Sequence, residues 1–498
     1  MALDKTEKQS APDKAAPTAP LPIPTDHIVT SKHKIRINGE TIAYTVRCGT
    51  VVLKEDSEKD GNREADKPRA TLFFIAYTKD SVKDPTKRAL TFSFNGGPGS
   101  SSVWLHLGVL GPKRVKLDAE GNAPPPPYQL IDNEYSLLSE TDLVFIDPIG
   151  TGYSRMLDGE KTKEFHTYQR DLDSVGEFIR LYTTRNQRWA SPKFIAGESY
   201  GTTRAAGLSS LLQEKYGMYL NGLMLFSTAL DFSAFRFMQG HDLAHVLFLP
   251  TYAATAWYHK RLDKRLQAKT LRAVIDEVEV FAEGEYNAAL FLGDKLEMNA
   301  REAIIAKLTQ YTGLSRAYIE STNLRIQIHR FCKELCRDER RTVGRLDSRF
   351  KGIERDAAGE NIESDPAHTN LDGAYAACIN DYLRRELKFE SDTPYTMISK
   401  LYMSWDFGSK DQHLNVVESL RKAICNNPHM KVYVGSGYYD LATPHFASDY
   451  VLNHMALDKS LFGNISKFYY EAGHMMYVHA ASLKLQAKHL RDFVKKAG

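Results

Sequence analysis

The stretch FIAGESYGTTRAAG, residues 194–207, restricts the fold of this 498-residue chain more than any other feature. The preceding PKFIA is short and apolar, as in a strand, and the following TTRAAGLSSLLQEKY has the spacing of a helix. Between them, a Gly-x-Ser-x-Gly turn carries Ser199. A strand that passes through such a turn into a helix holds the serine oxygen out at the edge of a sheet. A plain strand-to-helix turn with a surface serine is the alternative interpretation.

Apolar segments elsewhere predict the sheet to which that strand belongs. ALTFSF and DLVFID resemble strands buried on both faces, and strand signals return in MKVYVGSGYYD and ISKFYYEAGH. The alternating HKIRINGETIAYTVRCGTVVL predicts a β-hairpin that turns at Asn38 and Gly39. From about residue 231 to residue 395 the pattern is mainly helical. Strands before and after a helical stretch predict an α/β sheet with a helical insertion.

We therefore expect four parts along the chain. Residues 1–26, rich in Ala, Pro, Lys and Asp, predict a disordered arm because they have little to bury. The sheet would be built from residues 27–230 and 396–498, and residues 231–395 would form the helical insertion.

The composition favours a peptide or small-molecule substrate. With 65 Lys and Arg against 62 Asp and Glu, the net charge is only +3, and no basic block alternates with aromatic residues as nucleic-acid binding requires. The basic clusters RDERRTVGR and WYHKRLDKRLQAKTLRA are typical of solvated surface. The sequence contains no run of about eighteen apolar residues, which a membrane-spanning helix would require. The N-terminal residues lack the features of a secretory signal, which leaves a cytoplasmic protein and a periplasmic or secreted one without its signal both open.

Five cysteines are too few for a disulfide scaffold in a chain of this length. Cys332 and Cys336, four residues apart, would lie on one face of a helix. Two half-buried thiols are the favoured interpretation, and a disulfide from one of them to Cys378 is the alternative.

The segment GHDLAH places His241 and His245 four residues apart, as in a zinc-binding helix. Asp242 is one methylene shorter than the glutamate of such a motif, and no third ligand follows. We therefore predict no metal site here and place these histidines in or under the helical insertion.

A reactive serine needs two partners. Its hydroxyl is a weak nucleophile unless a histidine takes the proton, and the histidine needs a carboxylate to orient it and stabilise its cation. Asp440, in KVYVGSGYYDLATP, and His474, in SKFYYEAGHMMYVH, each follow a predicted strand and a turn of small residues. The chain order Ser199, Asp440, His474 is the order that this type of fold requires.

The glycine-rich segment LTFSFNGGPGSSS follows another predicted strand. Glycines let backbone N–H groups approach a ligand closely, as an oxyanion hole requires. A tight turn or a phosphate cradle are the alternatives, although the Lys-Ser/Thr ending of a phosphate-binding loop is absent.

Five segments together resemble one known family. NGGPGSS, DPIGTGYS, GESYG, GYYDLATP and AGHMMY occur in the order and approximate spacing of the serine carboxypeptidases, from about residue 90 to the C-terminus. The resemblance implies an α/β-hydrolase fold with a mainly helical cap inserted between the nucleophile and the catalytic aspartate. It also implies that the C-terminal residue of a peptide is removed through an acyl-enzyme intermediate, without a metal or other cofactor.

The resemblance assigns roles to individual residues. Ser199 resembles the nucleophile, His474 the general base and acid, and Asp440 the carboxylate that orients the histidine. The backbone N–H groups of Gly97 and Tyr200 would form the oxyanion hole.

Asn95 and Glu198 resemble the pair that binds the terminal carboxylate of the substrate. Two ionised carboxylates repel each other, so this contact requires a proton on one of them. We therefore expect the Michaelis constant, KM, to rise with pH and the turnover number, kcat, to change less, so that the enzyme prefers acidic conditions.

The sequence departs from the family pattern at several positions. Ser100 replaces a cysteine that many members use in a disulfide, and Phe94 replaces a frequent tryptophan. After the histidine, Met475, Met476 and Tyr477 replace Met-Val-Pro, which leaves the leaving-group subsite open. These departures indicate a bacterial-type branch of the family.

Two other functions are weighed against a carboxypeptidase. An esterase or acyltransferase would use the same triad, but it has no need of the Asn95 and Glu198 pair. A non-catalytic binding protein on this fold would be expected to lack part of the triad, which is intact here. The expected partners are peptides with a free C-terminus, and the oligomeric state is left open.

Overall fold

The computed structural model describes residues 24–59, 62–408 and 412–498. Most of the predicted arm, residues 1–23, lies outside the described residues. The strands are β1 His27–Ile37, β2 Glu40–Lys59, β3 Asn62–Lys79, β4 Ala89–Phe94, β5 Lys113–Val115, β6 Leu130–Asp132, β7 Thr141–Ile146, β8 Arg155–Met156, β9 Lys193–Ser199, β10 Gly222–Thr228, β11 Thr342–Val343, β12 Lys351–Gly352, β13 Lys431–Gly437 and β14 Ile465–Tyr470. The α-helices are α1 Val103–Leu105, α2 Thr162–Phe165, α3 Tyr168–Arg185, α4 Tyr200–Tyr216, α5 Leu243–Tyr258, α6 Lys264–Gln267, α7 Leu271–Phe281, α8 Asn287–Leu292, α9 Met298–Thr312, α10 Arg316–Ser321, α11 Ile328–Glu334, α12 Pro366–Asp381, α13 Val417–Asn426, α14 His445–Asn453 and α15 Ala480–Ala497.

Within the described residues, a ten-stranded mixed sheet organises the molecule. Its order is β1-β2-β3-β7-β4-β9-β10-β13-β14, with β8 paired to β3. Neighbouring strands from β1 to β7 pair in antiparallel fashion, and those from β7 to β14 are parallel. The hairpin between β1 and β2 turns at Asn38 and Gly39, whose φ angles are 50° and 85°, as the Asn-Gly pair predicts.

The central strands are buried because helices cover both faces of the sheet. Every residue of β4, β7 and β10 is buried. Along β9, Phe194 and Ala196 belong to the apolar cluster that includes residues of α12 and α15. Ile195 belongs to the cluster on the opposite face, with residues of α3 and α4. Apolar side chains on both faces explain the continuous apolar runs in the sequence.

The chain between β10 and β13 is mainly helical. Helices α5, α7, α9 and α11 contribute to a third apolar cluster. Helix α12 packs differently, because its Leu371 and Tyr375 join the cluster on one face of the sheet. The boundaries expected at residues 231 and 395 remain a prediction.

The cysteines are not paired with one another, and the histidine pair contacts backbone oxygens. All five cysteines are free thiols, so the alternative of a disulfide to Cys378 is not realised. Cys332 lies in α11, whereas Cys336 lies beyond the end of that helix. A ring nitrogen of His241 contacts Ser233 O at 2.9 Å, and one of His245 contacts Ile326 O at 3.1 Å.

Across the described ranges, none of the helices combines the length and the apolar character that a membrane span needs.

A buried arginine joins the start of α4 to the end of β4. The Arg204 side chain is 1% exposed, and its Nε donates to Asp171 Oδ2 at 2.8 Å. Its Nη1 donates to the backbone oxygen of Asn95 at 2.7 Å. The guanidinium also lies over the rings of Phe94 and Tyr200, with its Cζ 4.9 and 5.3 Å from their centroids. One side chain thus connects the helix after the serine turn with the turn after β4.

We expect Arg204→Met to lower the free energy of unfolding by about 3–5 kcal/mol, because Asp171 would remain buried without its cation. Burial already raises the pKa of Asp171, and the charge of Arg204 opposes that rise. The exposed pair of Arg185 and Asp26, 2.7 Å apart, provides a matched control. Arg185→Met should cost less than about 1 kcal/mol in denaturant titrations. Equal losses in the two variants would contradict the expectation.

Candidate active site

Ser199 occupies a strained turn between β9 and α4. Its φ and ψ angles are 59° and −129°, a region that side chains other than glycine rarely adopt and that costs about 1–3 kcal/mol. A Cβ on Gly197 would lie 2.2 Å from the Gly201 oxygen, and one on Gly201 would lie 3.0 Å from the Asn95 oxygen. Both glycines of the motif are therefore required by close backbone contacts. Ser199 itself is partly exposed, whereas its neighbours Glu198 and Tyr200 are buried.

Asp440 and His474 are joined by a short hydrogen bond. His474 Nδ1 lies 2.8 Å from Asp440 Oδ2, which also accepts from Thr443 Oγ1 at 2.6 Å. The other oxygen, Oδ1, accepts from the backbone nitrogens of Ala442 and Thr443 at 2.8 and 3.0 Å. A carboxylate held in this way keeps the proton of neutral His474 on Nδ1 and leaves Nε2 as the basic atom.

The surroundings of His474 raise its pKa. Burial by itself lowers the pKa, but the charge and hydrogen bond of Asp440 and the charge of Glu198 raise it. The guanidinium of Arg345 acts in the opposite direction. Because Asp440 and Glu198 stabilise the imidazolium, this histidine is suited to accept a proton.

The loop that carries His474 lies beside the serine turn. Ser199 pairs with Thr228 in the parallel ladder between β9 and β10. The preceding Ser227 donates from Oγ to the backbone oxygen of His474 at 2.7 Å. No hydrogen bond joins Ser199 to His474 in the part of the chain that is described, and in unliganded enzymes such contacts often tighten only when substrate binds.

A segment from the helical region fixes the loops of both Asp440 and His474. The backbone oxygen of Arg345 accepts from Leu441 N at 3.0 Å, and that of Leu346 accepts from His474 N at 2.6 Å. Arg345 ends the cluster RDERRTVGR, for which the sequence predicts solvated surface, but it is only partly exposed. No pattern in the sequence indicates these backbone contacts.

The Asp347 side chain also binds the loop that carries His474. Its Oδ2 accepts from the backbone nitrogen of Gly473 at 3.1 Å and pairs with Arg349 Nη2 at 2.7 Å. A Cβ on Gly473 would lie 2.4 Å from Asp347 Cβ, so glycine is needed before His474. Sequence reasoning missed Asp347 because it lies far from every recognised motif.

The two predicted oxyanion donors lie on segments in contact. Gly97 has φ 104°, and a Cβ on the preceding Gly96 would lie 2.4 Å from the backbone nitrogen of Tyr200. As the first residue of α4, Tyr200 has no acceptor for its N–H within the helix. The glycine-rich turn therefore lies against the N-terminus of α4, next to Ser199.

Asn95 and Glu198 form a buried pair beside the serine. Asn95 Nδ2 donates to Glu198 Oε1 at 2.8 Å, and Asn95 Oδ1 accepts from the backbone nitrogen of Leu105 at 3.0 Å. The pair forms because β4 and β9 are adjacent and parallel, with Phe94 opposite Gly197. Both residues therefore lie at the carboxyl ends of their strands, on the same edge of the sheet.

Burial raises the pKa of Glu198 to about 7, and the charge of Asp440 acts in the same direction. The charge of His474 and the side chains of Tyr477 and Asn95 lower the pKa, each by less than burial raises it. Glu198 therefore carries a proton under acidic conditions and loses it near neutrality.

No metal centre is apparent in residues 24–59, 62–408 and 412–498, where no three His, Cys, Asp or Glu side chains are grouped to hold an ion. His241 and His245 contact backbone oxygens, and Asp242 pairs with Arg325 Nε at 2.7 Å.

These features define an α/β-hydrolase with a serine turn, and comparison with known proteins gives its family. The model of the serine carboxypeptidases (Peptidase_S10) matches residues 61–480. The chain therefore belongs to the serine carboxypeptidase family. This confirms the family resemblance and the predicted α/β-hydrolase fold with helices between Ser199 and Asp440.

Individual relatives are distant. The pheromone-processing carboxypeptidase KEX1 of Saccharomyces cerevisiae (strain JAY291) is 31% identical over 163 residues, which are 31% of this chain and 20% of that protein. Serine carboxypeptidase-like 36 of Arabidopsis thaliana is 26% identical over 187 residues, 35% of this chain and 36% of that protein. The chain thus spans only a fifth to about a third of the length of these relatives.

A solved structure has a similar fold. The crystal structure of KEX1(delta)p, a prohormone-processing carboxypeptidase from Saccharomyces cerevisiae, superposes with a TM-score of 0.54 over 91% of each chain, at 16% identity.

We expect Glu198 to make the stability of the protein depend on pH. Its pKa rises from 4.5 in the unfolded chain to about 7 in the folded one, so the folded state binds the proton more tightly. The resulting stabilisation is complete below about pH 4.5 and is lost as pH rises through about 7, by about 3 kcal/mol. Glu198→Gln should remove this loss when free energies of unfolding are compared at about pH 5 and pH 8. The same decrease in both proteins would exclude Glu198 as its source.

Proposed function

We propose that this protein is a serine-type carboxypeptidase that releases C-terminal residues from peptides through an acyl-enzyme intermediate. The observation that carries the proposal is the buried pair of Asn95 and Glu198, which lies directly beside Ser199. A protonated carboxyl group and an amide can together bind a substrate carboxylate. Such a pair places the last peptide bond of a substrate, and no other, next to the serine.

The remaining groups account for the chemistry. Ser199 Oγ attacks the carbonyl carbon of the last peptide bond while its proton passes to His474 Nε2, and Asp440 stabilises the imidazolium. The backbone N–H groups of Gly97 and Tyr200 would bind the oxyanion. His474 then gives the proton to the leaving amine, which departs with the C-terminal residue. In the second half, water attacks the acyl ester, His474 takes its proton, and Ser199 is restored.

We further propose that residues 231–395 act as a cap that also supports the catalytic loops. The hydrogen bonds from Leu441 and His474 to the segment of Arg345 and Leu346 support this role. Assignment to a bacterial-type branch of the family remains part of the proposal and rests on Ser100, on Phe94 and on the residues that follow His474.

An esterase or acyltransferase of the same fold is the second candidate, because the triad processes any acyl group. The buried Asn95 and Glu198 pair favours the carboxypeptidase, since an ester substrate offers no carboxylate to bind. A non-catalytic binding protein ranks last, because His474 and Asp440 remain hydrogen-bonded at 2.8 Å.

The first test compares an N-blocked dipeptide that has a free C-terminus with its C-terminal amide. We expect rapid hydrolysis of the acid, little of the amide, and loss of both in Ser199→Ala, because only the acid engages Asn95 and Glu198. Release of the C-terminal amino acid is measured at acidic and neutral pH. Equal cleavage of acid and amide, or cleavage of simple esters alone, would favour the second candidate.

The second test follows KM for the free acid as pH rises. Glu198 must be protonated to bind a carboxylate, and its pKa is about 7, so KM should rise about tenfold per pH unit above that value. The turnover number should change less. Glu198→Gln keeps a neutral side chain at every pH and should give a KM that does not vary over the same range. A flat KM in the unaltered protein would exclude this role of Glu198.

A further inference from the structure

Tyr477 replaces the proline that the family pattern places three residues after the histidine, and its side chain reaches the Asn95 and Glu198 pair. The residue lies in the short 3-10 turn Met476–Val478 and is 2% exposed. A Cβ on Gly108 would lie 2.3 Å from Tyr477 Cε2, so the ring fills the space above that glycine. Gly108 belongs to the segment His106–Leu110, which directly follows the residue that holds Asn95 Oδ1.

Two buried polar atoms in this place lack hydrogen bonds. Neither Tyr477 Oη nor Glu198 Oε2 has a partner at ordinary hydrogen-bond geometry in the described structure. The two side chains nevertheless face each other, because a hydrogen-bonding contact outside that geometry lets Tyr477 lower the pKa of Glu198 and lets Glu198 contribute to raising that of Tyr477. Buried polar atoms are almost always paired, and leaving them unpaired destabilises the folded state. Two such atoms beside one another indicate a ligand that would pair with both.

The unpaired atoms also specify the chemistry of that ligand. Asn95 Nδ2 already donates to Glu198 Oε1, so that oxygen is engaged. The Tyr477 hydroxyl stays protonated, because burial raises its pKa well above the ordinary value, and protonated Glu198 offers a second donor at Oε2. Two adjacent donors match the two oxygens of a carboxylate.

The ring of Tyr477 has space beside it. A cavity of about 290 Å³ is bordered by Tyr477, Tyr375, Gly108 and Arg114, among others. Tyr375 packs against Trp104, with ring centroids 4.7 Å apart, and Trp104 Nε1 donates to Ser100 Oγ at 3.0 Å. The cavity leaves free volume next to Tyr477, on a side where Tyr375 is held by its packing against Trp104.

We propose that Tyr477 is a further substrate-binding residue whose hydroxyl donates to one oxygen of the substrate's terminal carboxylate, while Glu198 Oε2 binds the other. This inference rests on the proposed carboxypeptidase function and extends the carboxylate site from two side chains to three. In the absence of substrate the three side chains close on one another. The arriving carboxylate then separates Tyr477 from Glu198 and satisfies both.

The test is Tyr477→Phe, assayed with the N-blocked dipeptide acid at acidic pH. We expect KM to rise about tenfold or more with kcat little changed, because the lost contact is a hydrogen bond to a charged group away from the reacting carbonyl. Hydrolysis of an ester substrate without a carboxylate should keep its KM. The melting temperature should change little, since the variant removes a buried hydroxyl that makes no hydrogen bond of ordinary geometry.

Tyr44→Phe is a matched control, because Tyr44 is also fully buried and its hydroxyl also has no partner. This variant should leave KM unchanged. An unaltered KM in folded Tyr477→Phe, equal KM changes for acid and ester, or a large loss of stability would each overturn the inference. If the unaltered protein does not cleave the free acid, the proposed function fails as well; if it does and Tyr477→Phe matches it, only the role of Tyr477 fails.

Discussion

The close packing of two backbone turns determines the rest of this site. The turn after β4 and the turn after β9 approach so closely that a Cβ on Gly96 would lie 2.4 Å from Tyr200 N, and one on Gly201 would lie 3.0 Å from the Asn95 oxygen. Because the two strands are parallel neighbours, the residues after them emerge at the same edge of the sheet. The contact brings Asn95 to Glu198, and the strained backbone of Ser199 directs its side chain away from the buried residues around it.

Arg204 stabilises this contact from the interior. It donates to the backbone oxygen of Asn95 and pairs with Asp171 on α3, so both turns are tied to a buried charge pair. Such a pair is costly to desolvate, and its two charges depend on each other. The hydrogen bonds and ring contacts of Arg204, about one helical turn after Ser199, thus help to offset the backbone strain at Ser199.

Charge links the parts of the site that face the serine. Burial favours the neutral form of Glu198, whereas Asp440 and Glu198 both favour the charged form of His474. The protonation states of Glu198 and His474 therefore depend on each other. The helical region also contacts this part of the site. The backbone oxygen of Leu346 accepts from the backbone nitrogen of His474, and the Asp347 side chain accepts from that of the preceding Gly473.

The sequence alone determined the features that depend on local pattern. Apolar runs predicted the buried strands, the spacing after residue 231 predicted helices, and the Gly-x-Ser-x-Gly turn placed Ser199 between β9 and α4. The order of the motifs also predicted Asp440 and His474 as partners, and the structure places His474 Nδ1 2.8 Å from Asp440 Oδ2. Only the tertiary structure decided which distant residues contact the site. Arg204 binds the backbone of Asn95, Asp347 binds the residue before His474, and Tyr477 lies against Glu198. These contacts join residues far apart in the chain, and their stability comes from burial and charge pairing, which leave no periodic signal in the sequence.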